Sequence, residues 1–79
     1  MKNSMDYVTL TGITERELRG MAEDAATAVD EIHYEMCRDM ANGIFQLWVA
    51  LASSLDKDAA IADHTRMYAL TECLPPTRG

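Results

Sequence analysis

The sequence predicts an all-α fold: a small helical bundle of about three helices with an extended N-terminal arm. Apolar residues recur every three or four positions from Leu18 to Met40, which is the spacing of one face of a helix. A second segment around Trp48 is apolar on nearly all sides, and Pro75 with Pro76 ends a third helical segment. With 79 residues, the chain is predicted to form a single domain near the lower size limit for a self-sufficient core.

The arm and the first helix are predicted from strand propensity and from a capping signal. Residues 1–12 form the arm, because aromatic and β-branched residues near its end favour an extended strand. Thr14 and Glu17 match a capping box, so the first helix is predicted over residues 14–41. One face of this helix, spanning about 80°, is apolar and is predicted to pack in the bundle. This packing face consists of Leu18, Ala22, Ala25, Val29, Ile32, Met36 and Met40.

A break between the first two helices is predicted at Asn42 and Gly43, where glycine follows the last apolar position. The second helix is then predicted over residues 44–54. A continuous helix through Gly43 is the alternative, since a glycine inside a helix costs only about 1 kcal/mol.

The third helix is predicted over residues 57–73, with a polar tail at residues 75–79. Asp56 is the predicted N-cap because its side chain can accept a hydrogen bond from the first turn. Asp58 places a negative charge in that turn, where the helix dipole favours it.

The charge of the chain is concentrated on the first predicted helix. The sequence has 13 acidic and 7 basic residues, a net charge of −6, and Arg38 is the single base within residues 20–41. Binding to phosphate requires Lys and Arg, so direct contact with nucleic acid or an anionic membrane is not expected. An acidic face is predicted on the side of the helix away from the packing face. It consists of Glu17, Asp24, Glu31 and Glu35.

The second predicted helix carries more apolar surface than two neighbouring helices can cover, because a helix that is apolar all round must be buried on all sides. Self-association into a homodimer or a higher oligomer is therefore predicted, with Trp48 or Phe45 close to the subunit boundary. A compact three-helix monomer with Trp48 at its centre is the alternative. The predicted contact residues are Ile44, Phe45, Leu47, Trp48 and Leu51.

Metal binding and catalysis are not predicted, although His33 and Cys37 share one helical face. His64 and Cys73 would complete a four-ligand site, but their spacing places them on nearly opposite faces of the third predicted helix. Acidic neighbours raise rather than lower a thiol pKa, so a nucleophilic Cys37 is not expected either. The sequence thus predicts no catalytic residue, no metal and no cofactor, and the protein is not expected to be an enzyme.

Two hypotheses about function remain. The first is a small acidic protein–protein interaction or regulatory module that self-associates and docks on a protein partner. The second is an acidic inhibitor of the phage or plasmid type, which occupies a basic nucleic-acid-binding site of a host protein. No apolar run is long enough to cross a bilayer and no secretory signal follows Lys2, so a cytoplasmic, membrane-free setting with free thiols is expected.

Overall fold

Three α-helices make up residues 6–72, the part of the chain that the computed structural model describes. They are α1 (Tyr7–Ala26), α2 (Glu31–Leu55) and α3 (Lys57–Ala69). No strand occurs within residues 6–72. The predicted all-α class with three helices is therefore confirmed, but the boundaries of the first two helices differ from the prediction.

The first helix begins well before its predicted start. Asp6 is the N-cap, and its carboxylate accepts a hydrogen bond from the backbone N–H of Thr9 at 2.8 Å. Thr14 is not a cap: it lies inside α1, where its hydroxyl donates to the carbonyl of Leu10 at 2.9 Å. Residues 7–12, predicted as part of an extended arm, are helical because burial of Leu10 and its neighbours outweighs their strand propensity. Residues 1–5 lie outside the described part of the chain.

The break between the first two helices lies at residues 27–30, so the prediction of one helix over residues 14–41 is wrong. Thr27 closes α1, and its backbone N–H bonds to carbonyls of the last turn. Asp30 caps the start of α2, where its carboxylate accepts from the backbone N–H of His33 at 2.8 Å. The predicted second helix is the C-terminal half of α2.

The helix α2 continues through Gly43 without a break. Residues on both sides of Gly43 belong to one buried face, so a break there would divide a continuous packing surface. Burial of this face offsets the cost of about 1 kcal/mol for a glycine inside a helix. We call it the core face of α2. It consists of Cys37, Ala41, Phe45, Trp48 and Ala52.

A single residue, Asp56, connects α2 to α3 and acts as the N-cap of α3, as predicted. Its carboxylate accepts from the backbone N–H of Ala59 at 3.1 Å, and Asp58 lies in the first turn. The helix ends at Ala69, earlier than the predicted end at residue 73. A turn follows, in which the hydroxyl of Thr71 donates to the carbonyl of a residue in the last helical turn at 2.8 Å. Cys73 and the predicted tail lie outside residues 6–72.

The helices form an up-down-up bundle in which α1 and α3 both pack against α2. Tyr7 contacts α3 near its start and Glu15 contacts Arg66 further along, so α1 and α3 run in the same direction. The short connections on either side of α2 make it antiparallel to both neighbours. The buried core is assembled from all three helices. It contains Leu10, Leu18, Ala25, Cys37, Ala41, Phe45, Trp48, Ala52, Ala60 and Met67.

Candidate functional site

The most distinctive surface of the described chain is an exposed apolar face on α2. Five large side chains on this face, Ile32, Met36, Met40, Leu47 and Leu51, are 45–73% exposed. At about 100° per residue they lie within an arc of about 100°, together with three exposed small residues. We call the whole set the outer face. Its small residues are Gly43, Ala50 and Ser54.

The spacing along the outer face is that of a helix–helix contact. Met36, Met40, Gly43 and Leu47 follow one another at intervals of four, three and four residues, and Ala50 continues the alternation. Such a repeat keeps apolar side chains on one side of a helix for its whole length. The outer face runs from Ile32 to Ser54 on α2, so it is about 33 Å long at 1.5 Å per residue.

The structure divides the five predicted contact residues between core and surface. Phe45 and Trp48 are only 3% and 1% exposed within a single chain, so the predicted position of either side chain close to a subunit boundary does not fit this fold. Ile44 is half-buried against the core. Leu47 and Leu51 are exposed and belong to the outer face. This segment does carry apolar side chains around most of the helix, as predicted. The side with Phe45 and Trp48 is covered by α1 and α3.

Sequence reasoning missed three members of the outer face, because it assigned them to the packing face of the first helix. Ile32, Met36 and Met40 are 73%, 56% and 52% exposed, and Val29 in the connection is 82% exposed. Among the predicted packing residues, Leu18 and Ala25 are fully buried and Ala22 is half-buried. The prediction that the packing face is buried was thus correct only for its residues on α1. The alternating spacing that continues past Gly43 was the signal for the outer face.

The predicted acidic face does not form one stripe along one helix. Glu17 and Asp24 lie on α1, whereas Glu31 and Glu35 lie on α2. All four side chains are exposed. The break at residues 27–30 separates the two pairs because the chain reverses direction there, so their predicted alignment is lost.

Hydrogen bonds between residues far apart in the sequence connect α1 to α3. The hydroxyl of Tyr7 donates to the carboxylate of Asp63 at 2.6 Å and lies 2.9 Å from the carbonyl oxygen of Ala59. Partial burial, together with the hydrogen bond to Asp63, raises the pKa of the Tyr7 hydroxyl. These hydrogen bonds fix the position of α3 relative to α1. The apolar side of α3 packs against α2.

Glu15 forms a second polar link between the same helices. Its carboxylate accepts hydrogen bonds from Arg19 at 2.7 Å and from Arg66 at 2.9 Å. These hydrogen bonds lower the pKa of the Glu15 carboxyl, and the bond to Glu15 raises the pKa of Arg66. Because all three groups are partly exposed, solvent screens the ion pairs and their contribution to stability is small.

The histidine and cysteine side chains do not converge on a metal site in the described structure. Cys37 is buried in the core while His33 is exposed. The ring of His64 packs edge-on against Phe45, with centroids 5.2 Å apart. Among residues 6–72, no three His, Cys, Asp or Glu side chains are grouped closely enough to hold a metal ion. The remaining predicted ligand, Cys73, lies outside this range.

Comparisons with protein-family models, with curated proteins and with solved structures found no match for this chain. Within residues 6–72, no helix combines the length and the apolar character needed to cross a bilayer. The outer face of α2 is thus the feature of the described surface from which a function can be argued.

Proposed function

We propose that the protein is a small acidic, non-catalytic helical interaction module that self-associates through the outer face of α2. The observation that carries this proposal is the exposure of five large apolar side chains along one side of α2. Monomeric proteins rarely expose many large apolar side chains on one face, and such faces usually mark protein contacts.

The free energy available from this face is similar in size to the stability of a small domain. Burying one Leu, Ile or Met side chain completely is worth about 1.5–3 kcal/mol. Leu47 and Ile32 are more than half exposed, so much of this gain is unrealised within one chain. A second copy, which presents the same face, supplies an apolar surface of matching length.

The alternative function, inhibition of a basic nucleic-acid-binding site, depends on carboxylates aligned like phosphates along one helix. The four carboxylates of the predicted acidic face are divided between α1 and α2, so they do not form the single row that this function needs. Salt distinguishes the two functions, since association through apolar side chains persists in high salt while association through carboxylates is screened. We therefore propose self-association as the function that the described surface supports best.

Sedimentation equilibrium at micromolar concentration tests the proposal. We expect a mass of at least twice the monomer mass of 8.8 kDa, unchanged in 0.5 M salt. The variant Leu47→Gln should weaken association at least tenfold, because it places a polar amide in the apolar contact. Its circular dichroism at low concentration should remain that of the folded helical protein.

Ile61→Gln on α3 is a matched control. Ile61 is 65% exposed and Leu47 is 61% exposed, but Ile61 lies on a different helix from the outer face. We expect the control to associate like the wild type. A single folded 8.8 kDa species of the wild type across the micromolar range would refute self-association. Equal weakening by both variants would refute the assignment to α2.

A further inference from the structure

Gly43 lies at the centre of the outer face. α2 spans Glu31–Leu55, and Gly43 is its middle residue. On the outer face it lies between Met40 and Leu47. Any two-fold pairing of two antiparallel copies of α2 that uses the whole helix must place its axis beside this residue.

Nothing in the described chain accounts for a glycine at this position. Its φ is not positive, and a Cβ added there would meet nothing within 4 Å. Glycine also has a lower helix propensity than almost any other residue. Gly12 and Gly20 on α1 are equally unobstructed, but they line a surface with charged side chains, whereas Gly43 is flanked by apolar ones. A missing side chain at the centre of an apolar face lets a second helix approach closely.

The charges along α2 favour an antiparallel partner. The N-terminal part carries Glu31, Glu35 and Asp39 against one base, Arg38, while residues 44–55 contain no charged side chain. A parallel pair would set the two acidic parts side by side, and like charges repel. An antiparallel pair sets each acidic part against the uncharged part of the other copy, and it also opposes the two helix dipoles.

Side-chain size along the outer face fits the same arrangement. With the axis beside Gly43, Met36 of one copy lies level with Ala50 of the other, and Ile32 lies level with Ser54. At these two levels a large side chain lies opposite a small one, which lets two helices interdigitate without voids. A parallel pair would instead set Ala50 against Ala50 and leave a gap there.

We propose that a second copy of this chain packs antiparallel on the outer face of α2, with the two-fold axis beside Gly43. This inference rests on the proposed function and adds to it the direction and register of the contact. Each copy buries the outer face of the other, while its own core face stays against α1 and α3.

Disulfide cross-linking with single cysteines tests the direction and the register. The full chain carries Cys37→Ala and Cys73→Ser, and a Met36→Cys or Ala50→Cys change is added to it. A disulfide requires Cα atoms within about 7 Å. In the antiparallel pair, the two copies of position 36 are about 21 Å apart along the axis, since 14 residues separate positions 36 and 50. Neither variant should therefore cross-link with itself, and an equimolar mixture should give the mixed dimer in high yield under mild oxidation.

The outcomes separate this inference from the proposed function. Self-cross-linking of Met36→Cys alone, with weakened association of Leu47→Gln, would overturn the antiparallel register and leave self-association through α2 in place. A dimer by sedimentation with no cross-link in the mixture would overturn the proposed register as well. A monomer at all concentrations would overturn both. The cysteine-free parent must sediment like the wild type, and this control is measured first.

Discussion

The two apolar faces of α2 are built from similar periodicities but have different surroundings. The core face combines small residues such as Ala41 with the rings of Phe45 and Trp48, and it packs against α1 and α3. The outer face carries long flexible side chains such as Met36 and Met40, and it is exposed. The two faces are centred about 130° apart around the helix axis. The comparison shows that helical spacing identifies an apolar face but does not identify what covers it.

Specific contacts also distinguish the two faces. The indole N–H of Trp48 donates to the buried hydroxyl oxygen of Thr11 at 3.0 Å, and the ring of Phe45 lies 5.4 Å from the ring of Tyr68 between centroids. Such contacts fix the core face in one arrangement. Methionine side chains on the outer face have many rotamers and adapt to the surface that they meet.

The largest expected effect comes from truncating the core face. Phe45→Ala removes a ring that is 3% exposed and contacts Trp48 and His64, so we expect a loss of about 3–5 kcal/mol in the free energy of unfolding. Urea unfolding followed by circular dichroism measures this loss. Protein concentration is held at the lowest detectable value, so that association does not contribute.

Leu47→Ala, two residues further along α2, sharpens this comparison. Because Leu47 is 61% exposed, we expect the dilute protein to lose less than about 1 kcal/mol. A loss as large as that of Phe45→Ala would mean that Leu47 is buried within one chain, and the distinction between the two faces would fail.

An intermediate effect is expected at the hydrogen bond that anchors the core face. Thr11→Val keeps the side-chain shape but leaves the buried indole N–H of Trp48 without its acceptor, which costs about 1–3 kcal/mol. Thermal and urea unfolding, with Trp48 fluorescence as the local signal, measure the change.

Thr14→Val is the matched control for this hydrogen bond. Both threonines are 6% exposed and both lie on α1, but the hydroxyl of Thr14 donates only to the carbonyl of Leu10 in its own helix. Removing this hydroxyl leaves no buried donor without an acceptor, so we expect a smaller loss than for Thr11→Val. Equal losses in the two variants would show that the Trp48 bond does not anchor the core face.

The smallest effect is expected for the predicted acidic face. Changing Asp24, Glu31 and Glu35 together to Gln should leave the free energy of unfolding within about 0.5 kcal/mol, because exposed charges contribute little. Circular dichroism and sedimentation equilibrium should both resemble the wild type. Loss of self-association in this variant would show that the carboxylates, and not the outer face, form the subunit contact.

Glu15→Gln provides a contrast among the acidic residues, because the Glu15 carboxylate accepts hydrogen bonds from both Arg19 and Arg66. The folded state lowers the pKa of Glu15 below its ordinary value of 4.5, so its contribution to stability is present above that pH. The contribution is lost as pH falls through the lowered pKa. We therefore expect the variant to be less stable than the wild type at neutral pH, with the difference disappearing in acid.

Helix content and one of the helix boundaries followed from local sequence. Asp56 was predicted as an N-cap and is one, because capping depends only on a side chain and the turn after it. Asp6 and Asp30 cap the other two helices in the same way, so the information was present in the sequence. The prediction instead followed the capping box at Thr14 and the break signal at Gly43, neither of which marks a helix boundary in the structure. Several local signals competed, and packing selected among them.

The sequence by itself determined that the chain is helical and that α2 carries apolar residues over most of its circumference. Only the tertiary structure decided which of those residues are covered. Phe45 and Trp48 are buried because α1 and α3 both lie on their side of α2, and Leu47 is exposed because no third neighbour exists in the described chain. The physical reason is that periodicity is a property of one helix, whereas burial depends on where the chain reverses direction. That reversal, at residues 27–30, is set by the sum of all contacts in the bundle.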